Sequence, residues 1–117
     1  MARVAALIPD LMFGSKVQAM LQQAGHDVHL VTADVEAWDA QADVLVIDLV
    51  SADAAGIAVL ERVRASGAAG APASLAVYSH VDADTRRRAI DAGFDLVVPR
   101  SRMIREGADL VARLAAA

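Results

Sequence analysis

Cysteine is absent from this 117-residue chain. Disulfides, thiolate nucleophiles and cysteine-ligated zinc are therefore excluded. Aromatic residues make up only 3%, too few for the stacking platforms that hold single-stranded nucleic acid. Lys16 is the only lysine among 11 basic residues, and the net charge is −4. That balance excludes a general nucleic-acid binder, which needs a basic footprint against the phosphate backbone. No apolar run approaches the about 20 residues of a membrane helix. The N-terminus, Met1-Ala2-Arg3-Val4, runs straight into a strand-like segment and carries no secretory pattern. The expectation is a cytoplasmic protein with no membrane contact, folded as one domain over residues 1–117.

What is present is apolar surface in short, regularly spaced pieces. Hydrophobic residues make up 56% of the chain, much of it alanine. A domain of this length buries roughly two-thirds of its unfolded surface, enough for a core without staples. Strands are predicted at residues 4–8, 28–31, 44–48, 75–79 and 96–98. Helical spacing predicts helices at about 15–24, 55–65, 82 or 84 to 92, and 101 or 103 to 115. Gly25 and Gly93 fit positions just past helix ends. The stretch 34–41 around Trp38 has room for only a turn or a shortened second helix. Alternation of strand and helix predicts an α/β fold with a parallel sheet covered on both faces. At this size the flavodoxin-like, doubly wound, five-stranded order 2-1-3-4-5 is the expected answer.

The run Asp43-Val44-Leu45-Val46-Ile47-Asp48-Leu49 is the most informative segment. Its uninterrupted apolar centre reads as a strand buried on both faces. Asp48 then stands at the carboxyl end, on the edge where open α/β sheets place their sites. A carboxylate there is a ligand, a nucleophile or half of a structural ion pair. Asp10, Ser79, His80 and Arg100 are predicted at the same edge. Asp10 and Asp48 are candidate metal ligands, and His80 could join them in a metal or acid–base group. His26 and His29 are not gathered into any ligand set by their positions. The loop Pro9-Asp10-Leu11-Met12-Phe13-Gly14-Ser15-Lys16 offers one glycine and matches neither a dinucleotide fingerprint nor a P-loop. Met12 and Phe13 are apolar residues at this edge that pack under the loop, cap the pocket or face a partner.

Over nearly its whole length the chain resembles the receiver domains of bacterial two-component response regulators. Asp43 to Leu49 resembles the segment ending in the phosphate-accepting aspartate, which assigns that role to Asp48. Gly56 falls where receivers carry a loop glycine, and Ser79 where a Ser or Thr touches the phosphoryl group. Ala92-Gly93-Phe94-Asp95-Leu96-Val97-Val98 is similar to the family's Ala-Gly-Ala-Asp-Asp-Tyr-Leu-Val, which puts Arg100 at the lysine position.

The departures bear on activity. The family's acidic pair, which holds Mg²⁺ with the acceptor, falls on Ile8 and Pro9, leaving only Asp10, one position late. Mg²⁺ needs several oxygens in near-octahedral array, and phosphoryl transfer depends on it. Arg100 replaces the lysine, and its planar fork favours bidentate contact with a carboxylate. Pro99 precedes it and Ser101 follows; Val97 stands at the aromatic switch position and Ala52 at the loop proline. The resemblance is thus to an atypical, or pseudo-, receiver.

Such a chain is expected to act without enzymatic activity, in signal transduction, through protein–protein contact and without efficient Mg²⁺-dependent phosphorylation. Two alternatives stay open. One is a functional phosphoacceptor using Asp48. The other is a small-anion or small-molecule module at the edge formed by Asp10, Asp48, Ser79 and Arg100. No cofactor beyond a doubtful Mg²⁺ is expected. By resemblance, a protein partner or second copy would meet the fourth helix, fifth strand and fifth helix, which carry Arg86, Arg87, Arg88, Arg102 and Arg105. Those arginines equally suit a solvated face paired with Asp82, Asp84 and Asp91.

Overall fold

The computed structural model describes residues 2–31, 42–65 and 72–116. The elements run β1 (Arg3–Leu7), α1 (Leu11–Gln23), β2 (Asp27–Leu30), β3 (Val44–Asp48), α2 (Leu49–Ala65), β4 (Ala73–Tyr78), α3 (Ala83–Ala92), β5 (Leu96–Pro99) and α4 (Arg100–Ala116). The strands form one parallel sheet in the order β2-β1-β3-β4-β5, the flavodoxin-like arrangement that the alternating pattern predicts. The segment around Trp38, where the sequence suggests a shortened helix, lies outside the described residues.

The two faces of the sheet follow from the two-residue period of a strand. Val44 and Val46 of β3 point one way, into a core with Val4 and Ala6 of β1, Val17 and Leu21 of α1, and Met103 and Val111 of α4. Leu45 and Ile47 point the other way, toward Ala5, Leu7, Val59 and Leu60 of α2, and Ala89 of α3. Helices α1 and α4 therefore cover one face and α2 and α3 the other. Parity alone places Asp48 on the α1/α4 side.

Polar groups close the frame at the opposite edge. The Asp43 carboxylate accepts the Arg3 N–H at 2.9 Å. Asp95 accepts the Ser74 N–H at 2.8 Å, and the Ser74 hydroxyl accepts the Asp95 N–H at 3.1 Å. His26 is buried; its Nδ1 accepts the Ala2 N–H at 3.1 Å, so Nε2 carries the proton and donates to the Ala108 carbonyl at 3.2 Å. His26 is thus a structural link between the chain start and α4, and His29 pairs with Asp27 at 3.4 Å on β2.

Three helix starts differ from the sequence expectation. Helix α1 begins four residues early, at Leu11, because Asp10 caps it: its carboxylate accepts the Met12 and Phe13 N–H groups. Gly14, inside that first turn, conceals the helix from a periodicity reading. Helix α2 is two helical pieces joined at Asp53, whose φ is 50° and ψ −138°; the second piece is the helix expected from about residue 55, and the first, from Leu49, is additional. Gly56 lies within the helix, as the predicted span 55–65 has it, although its family counterpart is a loop glycine. A Cβ there would stand 2.7 Å from Ile47 Cγ2 and 2.8 Å from Leu49 Cδ2, so glycine is what lets α2 press onto β3. Helix α4 begins at Arg100 itself. Gly93 takes the left-handed φ of 90° that ends α3.

Candidate functional site

Asp48 is fully buried, with 0% of its side chain exposed. Burying a carboxylate without partners is costly, so its bonds decide what it can do. The first turn of α2 supplies two: the Val50 N–H donates to Oδ1 at 3.3 Å and the Ser51 hydroxyl to Oδ2 at 2.6 Å. Arg100 supplies the rest. Its Nε donates to Oδ1 at 3.3 Å and its Nη2 to Oδ2, the two-point fork that guanidinium and carboxylate geometry favours.

The same guanidinium reaches a second acid. Arg100 Nη1 donates to Asp10 Oδ2 at 3.2 Å, while Asp10 Oδ1 accepts the Met12 and Phe13 N–H groups at 3.1 and 3.2 Å. The guanidinium carbon lies 4.2 Å from the centre of the Phe13 ring, a cation–π contact. The Phe13 N–H, followed by the hydrogen bond and charge of Arg100, holds the Asp10 carboxyl below its ordinary range despite an opposing desolvation cost. Hydrogen bonding to Asp48, followed by its charge and by Asp10, raises Arg100 above its ordinary value, against a desolvation cost. One cation thus joins the starts of α1 and α4 to the end of β3.

The sequence places five residues at this edge, and the fold gathers three of them: Asp10, Asp48 and Arg100. Ser79, just past β4, instead lines a cavity of about 270 Å³ with Leu49, Asp53, Asp82, Thr85 and Arg88. There Asp82 caps α3, and the Thr85 hydroxyl, then the Thr85 N–H, hold its carboxyl below its ordinary range. His80 is exposed in the turn beyond and, among the described residues, bonds to neither Asp48 nor Asp10. Of the two loop apolar residues, Phe13 packs beneath Arg100 and Met12 is exposed. Phe13 caps the pocket as one of its sequence alternatives allows, and Ser51 is what a reading by residue type misses. A serine three positions past a strand-end aspartate is the one signal that could have found it.

The geometry does not suit a bound Mg²⁺. Such an ion needs near-octahedral oxygens. Here each oxygen of Asp48 and Asp10 already accepts at least one N–H or O–H donor, and the guanidinium fills the space between the two carboxylates. Ile8 is packed in the core and Pro9 carries no oxygen on its side chain. Among the described residues no group of three His, Cys, Asp or Glu side chains is placed to hold a metal ion.

The arginines of α3 and α4 are divided in their contacts. Arg86 and Arg87 are exposed. Arg88 reaches Asp84 at 3.6 Å, Asp53 at 3.9 Å and the Thr85 hydroxyl at 3.0 Å. Arg102 and Arg105 both reach Glu106 at 3.3 Å. Ile90 and Ile104 are exposed on the same two helices. Among the described residues no helix is long and apolar enough to cross a membrane.

This backbone matches solved receiver domains over almost its full length. FixJ-N superposes with a TM-score of 0.81 at 19% identity, covering 99% of this chain and 94% of that one. The signal receiver domain of the response regulator NarL from Mycobacterium tuberculosis gives 0.78 at 20%, covering 98% and 96%. The Francisella response regulator 1452 receiver domain gives 0.78 at 16%, covering 99% and 98%. No protein-family model and no curated protein matches the sequence. At these identities the likeness is one of fold: the chain has the flavodoxin-like fold of response-regulator receiver domains.

Proposed function

We propose that this chain is a receiver-type signalling module that works by protein–protein contact, with Asp48 serving as a structural group rather than an efficient Mg²⁺-dependent phosphoacceptor. One observation carries the reading: Arg100 engages both oxygens of a fully buried Asp48. An attacking carboxylate needs a free oxygen in line with the phosphoryl group and a cation to neutralise developing charge. Asp48 has no free oxygen here, and the cation beside it is one of the chain's own side chains. The same engagement of Arg100 argues against the small-anion alternative, because its donors are directed to carboxylates.

The contact face in this reading is α3, β5 and α4, where exposed Arg86, Arg87 and Arg105 lie on the same helices as Ile90 and Ile104. Apolar side chains among arginines suit a protein partner with acidic residues around an apolar patch.

The test is incubation with Mg²⁺ and acetyl phosphate, read by intact mass, together with beryllofluoride binding, each against an Asp48→Ala control. The expected result is no added phosphoryl mass and no Mg²⁺-dependent response. An adduct lost in the control would reinstate the working phosphoacceptor, the reading favoured by the position of Asp48 at the carboxyl edge of the sheet.

A further inference from the structure

We infer that Asp10 and Asp48 form a cation site selective for a guanidinium group, and that Arg100 is its resident occupant. The inference rests on reading Asp48 as structural and goes further by assigning the site a ligand chemistry. The two acids come from different segments, the cap of α1 and the end of β3, yet they converge on three nitrogens of one planar cation: Nε and Nη2 on Asp48, Nη1 on Asp10. The guanidinium carbon lies 4.2 Å from the centre of the Phe13 ring. Val50 and Ser51 donate to the other sites on Asp48, and Met12 and Phe13 to Asp10 Oδ1. A flat, three-donor cation with an aromatic shelf below it matches this cradle. An ammonium group is a compact point charge without the fork, and a divalent metal requires an oxygen array that these partners do not supply.

A cradle built around a guanidinium should survive removal of the side chain that carries it and accept the same group from solution. Arg100→Ala leaves Asp48 buried with its charge uncompensated. Its melting temperature is expected to fall by roughly 10–20 °C. Methylguanidinium at about 20 mM should restore a few degrees in a saturable manner, by binding the folded state. Methylammonium and Mg²⁺ at equal ionic strength should restore less, and the wild type should not respond to any of the three. Adding Asp48→Asn to Arg100→Ala should recover part of the loss without additive, because the orphaned charge is gone, and should abolish the methylguanidinium response.

The proposal is overturned if Arg100→Ala melts within about 2 °C of wild type, if methylammonium rescues as well as methylguanidinium, or if the double variant still responds. Should Arg100→Ala not fold, Arg100→Lys is measured: it keeps the charge but cannot span both carboxylates, so it should melt several degrees below wild type, and equality overturns the proposal. A phosphoryl adduct on the wild type would defeat the proposed function and leave these melting results to stand. Loss of selective rescue would defeat the cation site and leave the function reading intact.

Discussion

Two arginine-centred clusters sit along the carboxyl edge of this sheet, and they differ in almost everything except composition. Arg100 joins Asp48 and Asp10 on the α1/α4 side; Arg88 joins Asp84 and Asp53 on the α2/α3 side. In the first, Asp48 is 0% exposed, Asp10 36% and the arginine side chain 28%. In the second, the acids are 73% and 75% exposed and the arginine 48%. A cation between two acids is therefore not one kind of interaction. Where water is excluded, each partner becomes obligatory to the other, because an orphaned charge has nothing else to bind. Where water is present, the pairs are interchangeable with hydration and contribute little.

Truncating the two arginines tests that contrast most sharply. Arg100→Ala is expected to lower unfolding free energy by about 3–5 kcal/mol, read by denaturant melts; a loss near that of a surface substitution would erase the distinction. Next in size is Asp53→Gly. Asp53 is the only non-glycine residue with positive φ among the described residues, in a region that favours glycine, and such strain costs on the order of 1–3 kcal/mol. Glycine removes it at some loss of backbone restriction, for a net gain of about 1 kcal/mol. A loss of stability would mean that the ion pair with Arg88 outweighs the strain. Arg88→Ala should change stability by no more than about 0.5 kcal/mol, since its two carboxylate partners are solvated and the buried Thr85 hydroxyl keeps its bond to Asp82.

The smallest effect is confined to acid. Asp10 has a depressed carboxyl, so its contribution is complete above its ordinary value of 3.8 and is lost as the pH falls through the lower folded-state value. Asp10→Asn keeps a capping side chain and removes the titration. Its acid-unfolding profile should therefore be flatter than wild type below about pH 4, with little difference at neutral pH beyond the weakened contact to Arg100. Asp82, whose carboxyl is lowered first by the Thr85 hydroxyl, should show the same sign with Asp82→Asn. An acid limb unmoved by either change would place the titrating groups elsewhere.

The sheet was legible because it rests on strong local signals. The apolar run of β3 and the capped, glycine-ended α3 are both complete within a few residues, and their alternation leaves few topologies. The start of α1 and the first helical piece of α2, ahead of Asp53, were not legible. By sequence Asp10 is a candidate metal ligand at the sheet edge, and only the approach of the Met12 and Phe13 N–H groups makes it the cap of α1. Gly56 falls at a family loop-glycine position, but what requires glycine here is Ile47 of β3 across the packing interface and Leu49 in the first turn of α2.

The sequence by itself determined the alternation of strands and helices, the burial of β3 on both faces and the presence of an acid at its carboxyl end, and left few strand orders open. These follow from residue period and chain connectivity, which need no knowledge of distant contacts. The tertiary structure decided which acids share a cation. Asp10, Asp48 and Arg100 lie up to 90 positions apart, and Ser79, equally well placed by sequence, falls into a neighbouring cavity instead. A hydrogen bond is resolved within a few tenths of an ångström, far finer than any register a sequence pattern can set. The partnership that fixes the state of Asp48 therefore exists only once the helices have docked.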